Sequence, residues 1–275
     1  MRRARRRVCR PDRPHRRDQR DYASRIRVAV ITGGSSGIGA ALARKLSVRG
    51  WRCVLVARGR ERLDRIAGEI DAEAETCDVA ERAQVEELAA RVGDRHRSVH
   101  LLVNNAGIPA GGGYLTIPAE RIDSVTQVNY LGGVWCLRAF LPLLEAGAPS
   151  AVVNVTSVAG TVTVATSGPY AASKHAQLAF SRSIAHELAP RGIRVHSVNP
   201  GPVPTVGFPQ QRLLDGRWSR HAVVSTDTVA NAILRALDDE RAEVFVPPVF
   251  RLAAAAQALV PGTFARLAAL RDWRG

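Results

Sequence analysis

Val28-Ala-Val-Ile-Thr32 runs directly into Gly33-Gly-Ser-Ser-Gly37-Ile-Gly39, and an apolar segment continues from Ala40 to about Arg49. The first five residues, rich in β-branched side chains, read as a buried strand, and the segment after the glycines reads as a helix. A strand that turns on glycines straight into a helix is the first half of a β-α-β unit and implies a parallel sheet. The glycines follow the spacing Gly33-x-x-x-Gly37-x-Gly39. Gly33 permits the sharp turn out of the strand, Gly37 lets backbone approach a pyrophosphate, and Gly39 lets helix pack close to sheet. With Ser35, Ser36 and Ile38 between them, these residues open a helix whose unpaired N–H groups face an anion. A lone glycine turn is weak evidence of a nucleotide site. Between a strand and an apolar helix it is strong.

The alternation continues outward from this unit. Strands are expected at Trp51–Ala57, Ala74–Cys77, His100–Val103, Ala151–Thr156, Ile193–Val198 and Glu243–Val246. Helices are expected from Arg60 to Ile70, from Glu81 to Arg91 and as one long helix from Pro118 to about Leu144. Val85, Leu88, Ala89 and Val92 fall on one side of the second of these. A further helix has Pro169 in its first turn, and another runs from Thr226 to about Leu237. The fold class is α/β, a single Rossmann-type doubly wound parallel sheet with helices on both faces. Residues 1–25 read as a basic, disordered tail, 26–248 as the nucleotide-binding domain with its site, and 249–275 as an apolar helical extension. There is no internal repeat and no second domain.

Chemistry concentrates in Tyr170-Ala-Ala-Ser-Lys174, 13 positions after Ser157. Tyr and Lys four apart share one helix face. A phenol has a pKa of about 10, so acting as a base near pH 7 takes roughly 4 kcal/mol of preferential phenolate stabilisation. A fixed ammonium and a bound pyridinium ring together could supply that in a partly dry site. The motif alone occurs often by chance. Its order after the glycine loop, Asn104-Asn-Ala-Gly107, Asn129 and Ser157 makes it specific.

In these residues the chain resembles the short-chain dehydrogenase/reductase family from about Val28 to about Pro247. The resemblance implies a nicotinamide cofactor on one Rossmann domain and a catalytic tetrad of Asn129, Ser157, Tyr170 and Lys174. Tyr170 would exchange a proton with the substrate oxygen while hydride moves to or from its carbon, and Ser157 would hydrogen-bond that oxygen. Lys174 would depress the tyrosine pKa and hold the nicotinamide ribose, and Asn129 would fix a water linking lysine to solvent. The resemblance further implies that Asp78 meets the adenine amino group and that Asn105, Ala106 and Gly107 line the cofactor. Asn199-Pro-Gly-Pro-Val-Pro-Thr205 resembles the family's turn beside the nicotinamide, with Pro200 and Gly201 in the turn, Val203 meeting the carboxamide and Thr205 the phosphates. Plain structural roles remain open for each: Asn129 as a helix kink or cap, Ser157 as a strand end. His175 and His186 are assigned no role.

Cofactor choice falls at the end of the second strand, where an NAD site wants a carboxylate. The sequence has Ala57-Arg58 there, with Arg60 and Arg62 behind and no acid before Glu61. A guanidinium suits a 2′-phosphate, so NADP (NADPH) is favoured over NAD.

The net charge of +14 is unevenly spread: residues 1–27 hold 12 arginines against three aspartates, leaving +5 for the other 248. The basic segment lacks apolar periodicity, so it reads as a solvated tail, an upstream extension, or an arm for nucleic acid or acidic membrane. No nucleic-acid role is expected of the core. Cys9, Cys53, Cys77 and Cys136 show neither C-x-x-C nor metal-ligand spacing, so no metal site and a reducing cytoplasm are expected. No apolar run reaches spanning length.

The segment Val206–Ser225, with Phe208, Leu213, Leu214 and Trp218, and Gly111-Gly-Gly-Tyr114 read as walls of a substrate mouth. The chain ends in Phe250–Arg271, broken at Pro261-Gly262, where Leu252, Ala255, Leu259, Phe264, Leu267 and Leu270 suggest two amphipathic helices. Such an ending resembles members acting on bulky, lipid-like substrates more than ketoacyl carrier-protein reductases. Packing, dimer contact and membrane-surface contact are all open readings of it. A homodimer or homotetramer through the two long helices is expected. A non-catalytic dinucleotide-sensing protein is the alternative class, though it would have little reason to keep the whole tetrad.

Overall fold

Seven parallel strands make one sheet in the order β3-β2-β1-β4-β5-β6-β7. The structure, a computed structural model, describes residues 26–163, 168–208 and 223–270. The tail 1–25 and the mouth residues Leu213, Leu214 and Trp218 lie outside the described residues. The strands are β1 Val28–Thr32, β2 Arg52–Ala57, β3 Glu73–Thr76, β4 Leu101–Asn104, β5 Ser150–Val155, β6 Ile193–Pro200 and β7 Glu243–Val246. Helices α1 Gly37–Val48, α2 Arg60–Glu69 and α3 Arg82–Arg95 alternate with the first four strands.

Side-chain alternation along the strands separates two cores. Ala29, Ile31 and Leu55 pack with Leu42 and Leu46 of α1 and with Leu63 of α2. Val28, Val30 and Val54 point the other way, onto Val85, Leu88 and Val92 of α3. Central strands are thus apolar on both faces, as a doubly covered parallel sheet requires. Strand order reverses between β1 and β4, so the loops after Thr32 and Asn104 diverge to opposite faces. A crevice at such a reversal is where open α/β sheets bind ligands.

The long helix expected over Pro118–Leu144 is not continuous. It consists of α4 Ala119–Thr126, a π-helical turn Gln127–Leu131, and α5 Gly132–Ala146. One extra residue in that turn carries Asn129, whose amide clamps Ile108 by accepting from its N–H (2.8 Å) and donating to its carbonyl (3.0 Å). Just beyond, Gly132 lies so close to β3's exit that a Cβ there would sit 2.9 Å from Val79 Cγ2. Inserted turns of this kind often mark functional positions.

After β5, a short 3-10 turn Val158–Gly160 precedes α6 Gly168–Leu188, and α7 Thr226–Asp238 follows β6. The two C-terminal helices expected on apolar spacing are present as α8 Phe250–Leu259 and α9 Pro261–Leu270. Their spacing does not produce a packed face on α8: Leu252 is 71% exposed and Leu259 is 81% exposed. A polar anchor fastens α8 instead. Gln257 accepts from Thr163 N–H (3.0 Å) and its amide donates to Thr163 Oγ1 (3.3 Å), tying the helix to the segment between Ser157 and α6. Among the described residues, no helix is long and apolar enough to cross a membrane.

Candidate active site

Thr32 ends β1 and organises the first wall of the crevice. Its hydroxyl donates to Val103 O and accepts from the N–H groups of Asn105 and Ala106 (3.0 Å each). Asn105 returns the contact through its amide, which donates to Thr32 O at 2.9 Å. Gly33 and Gly37 adopt positive φ of 66° and 56°, a region that favours glycine. Gly39 is required by proximity, because a Cβ there would lie 2.4 Å from Gly33 O. Ser36 caps α1 with extended backbone but makes no side-chain cap bond, which leaves the helix start to an outside acceptor. Across the loop, Thr205 Cγ2 stands 3.0 Å from where a Gly37 Cβ would be. The β1 and β6 exits therefore close around one backbone cradle. Its shape and donors fit a pyrophosphate.

At the far edge, Arg58 extends from the end of β2 and pairs with Asp78 beyond β3, Nη1 to Oδ2 at 3.6 Å. Asp78 also accepts from Ala80 N–H at 3.0 Å. Arg58 is 64% exposed, so this pair is screened and contributes little stability. Arg60 is engaged by Asp64 one turn on. A cleft of about 780 Å³ opens beside the loop between α1 and α7, but Arg44, Lys45 and Arg49 on its walls pair with Glu69, Asp227 and Asp238.

The four tetrad positions meet beyond the carboxyl ends of β4 and β5. Ser157 is the N-cap of the 3-10 turn: its Oγ accepts from Ala159 N–H (3.1 Å), donates toward Pro200 O (3.5 Å) and stands near enough to the Tyr170 phenol to lower its pKa. Lys174 lies one turn along α6, its Nζ 5.9 Å from the Tyr170 ring centroid. Gly107 fits between, since a Cβ there would be 3.3 Å from Asn129 Oδ1 and 3.7 Å from Lys174 Nζ. Asn129 reaches α6 by donating to Ser173 Oγ at 3.0 Å, and Ser173 in turn donates to Tyr170 O at 2.7 Å.

The electrostatics differ from a lysine-activated phenol. Burial pushes the Tyr170 phenol up to about 12, against the lowering effect of the Ser157 hydrogen bond. Burial also drives Lys174 down to about 7. Its Nζ donates to Val155 O (3.1 Å) and to Gln177 Oε1 (2.7 Å), away from the phenol. Expected depression of the tyrosine is therefore absent in the chain by itself, because both groups are desolvated and the ammonium is engaged elsewhere. The Asn129 side chain is hydrogen-bonded to Ile108 and Ser173.

Val203 is buried beside the β6 exit, and Gly201 N–H donates to Val246 O at 2.8 Å. Phe208 meets Tyr170 edge to face, centroids 5.6 Å apart, and Gly168 lies against the Tyr114 ring. Of the expected mouth residues, Phe208 thus flanks the tyrosine and Tyr114 lies against the first residue of its helix. His175 Nδ1 contacts Ala171 O on its own helix, in keeping with no assigned role. Three contributors escaped the sequence reading: Thr32, Gln177 and the Gln257–Thr163 link. Gln177 alone carried a visible signal, its place three residues past Lys174 on the same face.

The model of the family described as short chain dehydrogenase matches residues 27–212. The chain belongs to the short-chain dehydrogenase/reductase family. It is 36% identical over 230 residues to 1-deoxy-11-beta-hydroxypentalenate dehydrogenase of Streptomyces exfoliatus, covering 80% of this chain and 82% of that one. Among solved structures, a short-chain dehydrogenase/reductase from Burkholderia phymatum in complex with NAD superposes with TM-score 0.76 at 29% identity, covering 85% of this chain and 93% of the other. A variant of actinorhodin polyketide ketoreductase with NADPH gives TM-score 0.72 at 31% identity, over 80% and 95% of the two chains. As a short-chain dehydrogenase/reductase, this chain is a nucleotide-dependent oxidoreductase acting on hydroxyl and keto groups.

Proposed function

We propose that this short-chain dehydrogenase/reductase uses NADP to interconvert an alcohol with a ketone or aldehyde, on a bulky apolar substrate. The observation that carries the reading is the convergence on Tyr170 of Ser157 from β5's exit and Lys174 from the same helix. Phe208 beside that tyrosine, and Tyr114 against Gly168 at the start of its helix, favour an apolar substrate. The hydroxypentalenate dehydrogenase and polyketide ketoreductase likenesses support the same class.

Residues 26–248 would form the cofactor-binding unit and 249–275 an extension on its substrate side. Gly33, Ser35, Ser36, Gly37, Ile38 and Gly39 would hold the pyrophosphate, with the α1 N-terminus supplying donors. Arg58 would exchange its exposed carboxylate partner for a 2′-phosphate, the better bidentate match. Asp78, freed by that exchange, would accept from the adenine amino group. Asn105, Ala106 and Gly107 would line the middle, with Pro200, Gly201 and Val203 at the nicotinamide end and Thr205 at the phosphates. When bound, the nicotinamide supplies or takes up the hydride.

The chain's own residues handle the oxygen. Ser157 Oγ–H donates to the substrate oxygen where charge develops. Tyr170 Oη transfers the proton, and Phe208 with Tyr114 limits the water reaching it. A phenol held near 12 is protonated at pH 7, the form that donates during carbonyl reduction. Taking the proton back in the oxidative direction requires the Lys174 ammonium and the cofactor's positive ring together. Asn129 keeps Ile108 and Ser173 in place beneath this group. Assembly as a homodimer or homotetramer through α4–α5 and α6 is part of the reading.

The test is a panel of ketones, aldehydes and alcohols followed by NADPH absorbance, with Tyr170→Phe beside the native chain. Loss of the exchangeable proton should lower turnover about 100-fold or more while NADPH binding persists. Near-native turnover in the Phe variant would overturn the assignment.

A further inference from the structure

Lys174 is the deepest cation described in this chain, 3% exposed. Among the described residues it forms no ion pair; two carbonyl oxygens hold it. One is Val155 O, a backbone atom of β5 that every sequence would provide. The other is Gln177 Oε1 at 2.7 Å, the shorter contact and the one that depends on a side chain. Gln177 is itself 1% exposed, on a helix side where Ala171, Ser173, Leu178 and Ser181 are also buried. The space shared by Gln177 with Thr32, Asn104, Asn129 and Gly133 is too small for a water molecule. No solvent can take over if the amide is lost.

We infer that Gln177 is a positioning residue: its amide oxygen keeps Lys174 charged and, with Val155 O, fixes two of the three ammonium protons, leaving the third for the site. The chemistry is direct. An ammonium has three protons and no lone pair, so an acceptor at 2.7 Å favours it over the neutral amine. Burial works against the charge and brings Lys174 down to about 7, so near neutral pH the balance between its two forms is sensitive to the acceptors around Nζ. Removing the amide leaves desolvation unopposed except by Val155 O. The amine that results would offer only two protons and could not support a phenolate at Tyr170.

The other groups facing Lys174 do not compete for this role. Tyr170 is the titratable group on its own helix, and His175 turns to Ala171 O. From the neighbouring elements come Val155, Gly107 and Asn129, all uncharged. The catalytic meaning rests on the proposed role of Lys174, whereas the charge itself can be read without any substrate.

The sequence provides the readout, because Lys45 and Lys174 are its only lysines. Protein labelled with 13C at lysine Cε, free of cofactor and reduced, should show two titrating signals, assigned with Lys45→Arg. Relative to the native chain, the Lys174 midpoint should fall by at least one pH unit in Gln177→Leu and rise by at least one unit in Gln177→Glu, a tenfold change in proton affinity each way. NADPH affinity at pH 8, measured by fluorescence, should weaken at least threefold in Gln177→Leu and not in Gln177→Glu. Should Gln177→Leu fail to fold, the upward shift in Gln177→Glu decides alone. Midpoints unchanged in folded variants would overturn the inference. Failure of the carbonyl panel in the native chain would instead count against the proposed function and leave this titration readable.

Discussion

The buried lysine predicts an unusual dependence of stability on pH. Lys174 has an ordinary value of 10.5 and about 7 in the fold, so between those pH values the unfolded chain binds more protons than the native one. Stability then rises with pH, since its slope follows the excess of protons on the unfolded state. Taking those two values, the gain from pH 7 to pH 8.5 is about 1.5 kcal/mol. Three buried thiols act in the opposite sense. Burial raises Cys53 from 9.0 to about 12 and Cys77 to about 11, and raises Cys136 further still. Above pH 9 these thiols ionise only on unfolding, which favours the unfolded chain. They remove about 0.5 kcal/mol by pH 8.5 and about 2.5 kcal/mol by pH 9.5. Stability should therefore peak near pH 8.5. His196, lowered by burial, adds a rise confined to pH values near and below its ordinary 6.5, outside this window. The assay is urea unfolding of the cofactor-free chain under reducing conditions at half-unit steps from pH 7 to 9.5. Lys174→Met should lose the rising limb and decline throughout. A rising limb of equal slope in Lys174→Met, or none in the native chain, would refute the assignment of burial as the cause.

Arg58→Asp should weaken NADPH and spare NADH. A charge-assisted pair is worth about 1.5–3 kcal/mol, so the affinity ratio measured by fluorescence titration should move at least tenfold. Gly39→Ala puts a methyl 2.4 Å from Gly33 O, and α1 must withdraw from the loop; NADPH binding should fall more than tenfold while circular dichroism keeps its α/β shape. A chain beginning at Ser24 should fold, bind NADPH and turn over like the full chain, and any salt-sensitive nucleic-acid binding should vanish with the arginine-rich arm; loss of activity would mean that the arm docks on the domain.

Sequence alone determined the sheet and the cast of the site. Apolar runs of strand length, separated by helical periods and a glycine turn, allow few arrangements other than a doubly covered parallel sheet. Each of the seven strands falls within two residues of its expected bounds, because strand burial is written in local residue types. Gly33, Gly37 and Gly39 were legible for a similar reason: a positive φ or a missing Cβ is a property of one residue. What only the tertiary structure decided depends on partners distant along the chain. The π-helical turn exists because Asn129 meets Ile108, 21 residues away, and nothing in the helical period of Pro118–Leu144 encodes that meeting. The exposure of Leu252 and Leu259 among the described residues is likewise not encoded in the apolar spacing of α8. Proton affinities belong to the same class. Tyr170 and Lys174 are four residues apart in any helix, yet their charge states follow from burial and from Ser157, Val155 and Gln177 around them. Spacing places a phenol beside an amine; only the surrounding packing, by excluding water and offering acceptors, sets which of them carries the proton.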